Sequence, residues 1–224
     1  MAEEWKLEGK TFLITGGASG LGAAYAENFL KHGAQNVAIL DIAEKVGTEF
    51  VEKLNETYND KAIFVKCDVS KEEEIKNSFD EVVNAFKRID VIINNAGVMN
   101  DAPNVWRVAS EINWIPAFYA MTGVRLLTLV LGATKTALID DIKSKTFDEV
   151  ITTPMLPYLQ LAEQNIDSAV AAVTKMFEQG TPGSIWLSIC NRPGQDITAT
   201  IDAAYEEIEK LLMPEGIESL YDQK

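Results

Sequence analysis

The chain has few of the residues that build disulfide scaffolds, metal centres or catalytic triads. Its 224 residues include two cysteines and one histidine. Cys67 and Cys190 fall in different predicted strands, so free thiols in a reducing compartment are expected rather than a disulfide. His32, on a predicted surface helix, gives no basis for a zinc site or a triad. We therefore expect no metal in this protein.

Basic residues and long apolar runs are also scarce. Twenty Lys and Arg stand against 34 Asp and Glu, which gives a net charge of -14, so nucleic acid and anionic membranes should be repelled. No run reaches the about 18 apolar residues of a membrane span. Residues 1–6 are acidic and lack the apolar core of a signal peptide. These features favour a cytoplasmic protein with neither nucleic acid nor membrane as a partner.

The first hundred residues alternate between strand and helix patterns. Predicted strands cover residues 10–15, 36–42, 62–69 and 90–95, and predicted helices cover 21–31, 44–58 and 71–86. The strands are too apolar to be half exposed, which is typical of a parallel sheet covered by helices on both faces. The sequence therefore predicts an α/β protein with a Rossmann-like doubly wound sheet in three layers.

The later pattern is less regular. Predicted elements are a helix over 105–121 interrupted by Pro116, a strand over 124–131, a helix over 166–178, a strand over 184–190 and a helix over 201–212. Residues 143–161 are either a loop over a cleft or an ordinary connection. No repeat or low-complexity tract marks a boundary, so we expect residues 1–224 to form one domain.

A glycine-rich turn, TGGASGLG at residues 15–22, joins the first strand to the first helix. Glycines there let the backbone approach a pyrophosphate, whose charge lies at the N-terminus of the helix. Asp41 follows nineteen residues after Gly22, at the end of the second strand. A carboxylate in this register binds the adenosine ribose and repels a 2'-phosphate, so NAD is favoured over NADP. The alternative is a solvated Asp at a strand end.

Taken together, these residues resemble the short-chain dehydrogenase/reductase family. The turn matches TGxxxGxG, Asp68-Val69 match a pair that contacts adenine, and residues 94–97 match NNAG. Residues 123–128, 132–136 and 183–186 are similar to the insect alcohol dehydrogenase and 15-hydroxyprostaglandin dehydrogenase-like branch. The resemblance implies that the cofactor is bound by Gly16, Ser19, Gly20, Leu21, Gly22, Asp41, Asp68, Val69, Asn94, Ala96, Gly97 and Thr136.

The PGxxxT motif of the family corresponds to residues 131–136. Leu131 replaces the proline, and Thr136 remains to hold the nicotinamide amide. A buried strand end is the alternative interpretation of this segment.

The catalytic residues implied by the resemblance are mostly missing. The family uses a tyrosine, a lysine four residues later, a serine and an asparagine, and the lysine is needed because a free phenol with a pKa of about 10 is a poor base at neutral pH. No tyrosine of this chain has a lysine four residues after it. Asn113 matches the asparagine, although a polar helix residue bonded to backbone is the alternative.

Tyr119 is a weak candidate for the catalytic tyrosine. Four residues separate it from the strand that begins at Val124, whereas a three-turn helix takes about eleven. The simpler interpretation is an internal deletion after Asn113 that removes the fifth strand, the serine and the tyrosine-lysine helix. The sheet would then be one strand and one helix short of the family, and the 124–131 strand would pair directly beside the 90–95 strand.

The sequence motifs leave two functions open. One is an NAD-dependent dehydrogenase that acts on a secondary alcohol, its ketone or a hydroxylated lipid. The other is a non-catalytic NAD-binding paralogue or truncated isoform. The deletion also makes a homodimer less expected, because the missing helix is one that the family uses for dimer contacts.

Overall fold

A computed structural model describes residues 5–97, 127–136 and 163–212, the last five of these by their backbone only. The described strands are β1 (Thr11–Thr15), β2 (Asn36–Asp41), β3 (Ala62–Lys66), β4 (Val91–Ile93), β5 (Thr128–Leu131), β6 (Ile185–Ser188) and β7 (Gln195–Asp196). The described helices are α1 (Gly20–Lys31), α2 (Glu44–Tyr58), α3 (Glu72–Phe86), α4 (Ile166–Gln179) and α5 (Thr198–Leu212).

The first four strands form a parallel sheet in the order β3-β2-β1-β4. Successive side chains of a strand point to opposite faces, and β1 is buried on both. Phe12 and Ile14 belong to one apolar cluster, whereas Leu13 belongs to a second. Helices therefore cover both faces, as the apolar strand sequences require. The prediction of a doubly wound α/β fold is confirmed.

The later strands form a separate sheet in the order β5-β6-β7. Strands β5 and β6 are parallel, and the short β7 is antiparallel to β6. The predicted pairing of the 124–131 strand beside the 90–95 strand is wrong for the described residues, where β4 pairs with β1 and β5 pairs with β6. The β5–β6 pair packs instead on α4, which also packs on α1.

Helix α4 joins the two sheets through its apolar face. Phe177 lies with its ring centroid 5.8 Å from that of Phe12 and 5.8 Å from that of Trp5. The side-chain amide of Asn28 on α1 donates a hydrogen bond of 3.0 Å to the Thr174 hydroxyl. The helix begins at a capping residue, because the Asn165 side chain accepts from the amide of Ser168 at 2.8 Å. One apolar cluster therefore extends from the first sheet to α4.

The predicted elements agree with the structure except at some ends. The strand predicted over 62–69 ends at Lys66, because Asp68 and Ser70 form the turn that precedes α3. Strand β7 was not predicted. The predicted helix over 105–121 and the irregular segment 143–161 lie outside the described residues.

Three further observations concern the residues that the structure describes. Cys67 is buried and Cys190 is half-buried, and neither is in a disulfide. The described helices include none that is long and apolar enough to cross a membrane. Within the same residues, no group of three or more His, Cys, Asp or Glu side chains could hold a metal ion.

Candidate functional site

The glycine turn lies at the carboxyl end of β1 and packs against the end of β4. Gly16 has φ +61, and a Cβ built on it would lie 2.8 Å from the Cα of Ala96. A Cβ on Gly22 would lie 2.3 Å from the carbonyl oxygen of Gly16. Both approaches are closer than a side chain allows, so glycine is required at these positions.

Helix α1 begins within this turn, and its N-cap side chain makes no hydrogen bond to the first amides of the helix. Ser19 is the N-cap residue in an extended conformation, its side chain makes no capping hydrogen bond, and the first turn contains no acidic residue. The first amides of a helix lack intrahelical partners and carry partial positive charge. This helix end can therefore bind an anionic group such as a phosphate.

Thr15 and Asn95 hold the turn against β4. The Thr15 hydroxyl, 4% exposed, accepts from the amides of Asn95 at 3.1 Å and Ala96 at 3.0 Å. The Asn95 side chain donates to the carbonyl oxygens of Thr15 at 3.0 Å and Gly16 at 3.1 Å. Asn95 was not among the predicted contact residues. Its place in the NNAG motif was the available signal, but only the structure shows that it braces the turn.

Asp41 ends β2 beside the glycine turn. Its carboxylate accepts from the amide of Ala18 at 3.0 Å and from the amide of Ala43 at 3.0 Å. On the neighbouring strand, Lys66 is in register with Asp41 and forms an ion pair of 2.9 Å with Glu44. The Asp41 carboxylate therefore lies at the same sheet edge as the N-terminus of α1. The ion pair between Lys66 and Glu44 lies next to it.

Asp68 and Val69 follow β3 at the same edge. Val69 is buried, so it contributes an apolar surface. The Asp68 carboxylate accepts from the hydroxyl of Ser70 at 2.7 Å and its amide at 3.1 Å. The Ser70 hydroxyl, the Ser70 amide and Lys71 lower the pKa of Asp68 against the opposing effect of burial. These hydrogen bonds hold the Asp68 carboxylate in the loop that leads into α3.

Thr136 reaches the site from the second sheet. A Cβ built on Gly20 would lie 3.7 Å from both the Cβ and the Cγ2 of Thr136. The segment after β5 therefore lies against the glycine turn, although β5 and β4 are not paired. This places the carboxyl ends of β1 and β5 at one common edge.

The structure brings most of the predicted cofactor residues to this edge. Asn94 and Gly97 are exposed just beyond β4, and Leu21 packs partly into the apolar cluster under α1. The predicted catalytic residues Asn113 and Tyr119 lie outside the described residues.

Two other tyrosines are poor bases. Burial raises the pKa of Tyr25, whose side chain packs into the core, and burial together with Glu27 raises the pKa of Tyr58. A tyrosine that acts as a base needs its pKa lowered. Neither residue therefore has the lowered pKa of a tyrosine that acts as a base.

The turn, the fold and the sequence define one class of protein. The family model for short chain dehydrogenase matches residues 10–124, about half of the chain. The chain therefore belongs to the short chain dehydrogenase family.

Individual relatives match over less than half of the chain. The 15-hydroxyprostaglandin dehydrogenase [NAD(+)] of Mus musculus is 38% identical over 110 residues, which cover 49% of this chain and 40% of that protein. The (+)-cis,cis-nepetalactol synthase of Nepeta racemosa is 41% identical over 97 residues, which cover 43% of this chain and 35% of that protein. The chain thus matches well under half the length of these curated relatives.

Solved structures agree with the fold over more of the chain. A short-chain type dehydrogenase/reductase from Mycobacterium marinum superposes with a TM-score of 0.68 at 15% identity, over 82% of this chain and 95% of that one. A short chain dehydrogenase/reductase from Burkholderia phymatum in complex with NAD superposes with a TM-score of 0.50 at 22% identity, over 58% of this chain and 50% of that one. At these identities the likeness establishes the fold.

Proposed function

We propose that this chain is an NAD(H)-binding member of the oxidoreductase family to which it belongs. The observation that carries the proposal is the meeting of three features at one sheet edge. These are the uncapped N-terminus of α1, the carboxylate of Asp41 and the Thr136 side chain beside Gly20. A dinucleotide needs an anion site between a ribose acceptor and a second wall, and this edge offers all three.

The proposed contacts follow the order of the strands. Asp41, Asp68 and Val69 lie on the β2–β3 side and would hold the adenosine half, with Gly16, Ser19, Gly20, Leu21 and Gly22 at the pyrophosphate. Asn94, Ala96, Gly97 and Thr136 would hold the nicotinamide half. When bound, the cofactor supplies the hydride chemistry, and the protein supplies binding and orientation.

We expect NADH to bind more tightly than NADPH. Asp41 offers an acceptor to a ribose hydroxyl and a repulsive charge to a phosphate. The ion pair between Lys66 and Glu44 leaves that lysine less able to compensate. The mouse relative matched here is named for NAD, which supports the same preference.

A matched pair of variants tests this preference. Asp41→Ala removes the carboxylate at the site, and Asp80→Ala removes the same charge from an exposed position on α3. Titration of each protein with NADH and NADPH, followed by nucleotide fluorescence, should show about a tenfold preference for NADH in the parent and in Asp80→Ala, and a smaller one in Asp41→Ala. Equal affinities in the parent would refute the assignment.

A second candidate concerns catalysis by this particular chain. The family relationship favours oxidation of a secondary alcohol or a hydroxylated lipid, or reduction of the corresponding ketone. The absence of any tyrosine with a lysine four residues later favours a non-catalytic paralogue or a truncated isoform that keeps NAD affinity. Loss of a positioned general base typically removes about 10² to 10⁴ in rate.

Turnover measurements separate the two candidates. Pure protein of verified mass would be assayed with NAD and a panel of secondary alcohols at neutral pH, and we expect negligible turnover. Activity that disappears in Tyr119→Phe would assign the base to Tyr119. Robust activity that survives Tyr119→Phe would show that another group does the chemistry.

We further propose that residues 1–224 form a single domain in the cytoplasm. The shared apolar cluster of the first sheet, α1 and α4 supports one folding unit. The absence of a disulfide between Cys67 and Cys190 supports a reducing compartment.

A further inference from the structure

A buried glutamine joins the second sheet to the segment that carries Thr136. Gln164 is 0% exposed and forms a parallel bridge with Thr134. Its backbone amide donates to the carbonyl oxygen of Ala133 at 2.7 Å, and its own carbonyl oxygen accepts from the amide of Lys135 at 3.0 Å. The backbone of residues 133–135 is thus held on both sides of Thr134.

The Gln164 side chain makes three more hydrogen bonds. Its amide nitrogen donates to the Thr134 hydroxyl at 3.1 Å and to the carbonyl oxygen of Ser188 at 2.9 Å. Its amide oxygen accepts from the Ser188 hydroxyl at 3.0 Å. Both N–H donors of the carboxamide are used, and a buried carboxamide is costly unless its partners are present. The side chain therefore fixes the segment after β5 to the carboxyl end of β6.

This segment lies on the side of the site opposite Asp41. Asp41 ends β2, the N-terminus of α1 follows β1, and Thr136 contacts the glycine turn from the segment after β5. A dinucleotide bound across such a sheet has its adenosine half at the end of β2 and its second half beyond the pyrophosphate. Thr136 is therefore on the side of the second half.

We propose that Gln164 is a positioning residue for the nicotinamide half of the cofactor. It holds residues 132–136 so that Thr136 stays at the glycine turn, and it contacts no part of the nucleotide itself. This inference rests on the proposed NAD binding. It predicts that loss of the carboxamide weakens contacts on one half of the dinucleotide only.

The test compares NADH with ADP, which lacks the nicotinamide half. Gln164→Met keeps the side-chain length and removes the three hydrogen bonds. The matched control is Asn55→Leu, because the Asn55 carboxamide likewise joins two segments through Ala62 at 2.9 and 2.8 Å, at the opposite edge of the sheet. We expect Gln164→Met to weaken NADH binding about three- to tenfold, the size of one lost hydrogen bond. The affinity of Gln164→Met for ADP should stay within about twofold of the parent. Asn55→Leu should change the affinity for neither nucleotide.

A double-mutant cycle with Thr136→Val then tests whether Gln164 acts through Thr136. Interacting residues give non-additive effects, whereas independent ones add. We expect Gln164→Met to cost little further NADH affinity once Thr136 is replaced. Additive losses, or equal losses of NADH and ADP affinity, would overturn the proposal.

A failure of the proposed NAD binding and a failure of the positioning role give different results. If the parent protein binds neither NADH nor ADP, the proposed function fails before the positioning is tested, and the proposal falls with it. If Gln164→Met does not fold, Ser188→Ala removes only the bond at 3.0 Å and should lower the NADH-to-ADP affinity ratio about twofold. An unchanged ratio in Ser188→Ala would also count against Gln164.

Discussion

The two sheets of this protein differ in how they are stabilised. In the first sheet, β1 is buried along its whole length and each face has its own apolar cluster. In the second sheet, Val130 on β5 is 45% exposed, and both residues of β7 are exposed. Two of the buried apolar residues of α4, Val173 and Phe177, belong to the cluster of the first sheet.

This difference shows that the two regions depend on each other unequally. The first region contains the glycine turn and the two clusters that position it. The second region supplies Thr136 but is held in place largely by α4 against α1 and β1. Nucleotide binding, if it uses both regions, should therefore be sensitive to the contact that joins them.

The largest expected effect comes from breaking that contact. Phe177→Ala removes a buried ring from between Trp5 and Phe12, and such truncations cost about 3–5 kcal/mol. The free energy of unfolding should be measured by denaturant titration with tryptophan fluorescence and circular dichroism. Tyr205→Ala on α5, at a side chain 66% exposed, is the control and should change little. A loss under about 1 kcal/mol in Phe177→Ala would contradict the dependence of the second region on the first.

The glycine turn should respond next most strongly. Valine at position 22 would place its Cβ within 2.3 Å of the Gly16 oxygen and 2.7 Å of the Asn95 side-chain amide, so the turn must shift. We expect NADH affinity to fall by about 100-fold or more, which corresponds to about 2.7 kcal/mol. Gly183→Ala is the control away from the turn, because a Cβ there meets nothing within 4 Å. Retained affinity in Gly22→Val would reduce the turn to a structural connection.

Two threonines of β1 give a smaller, internally matched comparison. The Thr15 hydroxyl accepts from two amides at the end of β4, whereas the buried Thr11 hydroxyl has no hydrogen-bond partner in the described structure. Thr15→Val should lower the unfolding free energy by about 1–3 kcal/mol, because two partly buried amides lose an acceptor. Thr11→Val should be neutral or slightly stabilising. Equal effects of the two substitutions on thermal unfolding would contradict the bracing function of Thr15.

The smallest expected effect is the pH dependence of stability that comes from one aspartate in each of the loops that precede α3 and α5. The Ser70 hydroxyl lowers the pKa of Asp68, and the Thr198 hydroxyl lowers the pKa of Asp196. An aspartate whose pKa is lower in the folded state than its ordinary value of 3.8 stabilises the folded protein at pH values above 3.8. This stabilisation is lost as the pH falls through the folded-state pKa. Asp68→Asn and Asp196→Asn should each lower stability at pH 7, by an amount that shrinks below pH 3.8. Melting temperatures from pH 2.5 to pH 7 would check this, and a deficit that persists at the lowest pH would argue against the ionised carboxylates.

The sequence allowed prediction of the first region in detail and of the second only in outline. Periodic apolar residues and the glycine turn predicted β1 to β4 and α1 to α3, because each element has its own local signal. The relation between the sheets had no such signal, since it depends on α4 packing against α1 across more than a hundred residues. Gln164 was missed for the same reason, because one polar residue before a helix cap carries no pattern that reveals its burial.

The contact of Phe177 with Phe12 also has a consequence for synthesis of the chain. The four strands of the first sheet are complete once residue 93 has been translated. The Phe177 ring that packs near Phe12 follows some 80 residues later, about 4 to 16 seconds at ordinary translation rates. During that interval Phe12 lacks its neighbour Phe177, although it can already stack on Phe29 of α1. We expect stalled chains of about 130 residues, with the first sheet outside the ribosome, to recruit chaperones that bind exposed apolar surface, and Phe12→Ser to reduce that recruitment in a pull-down of nascent chains.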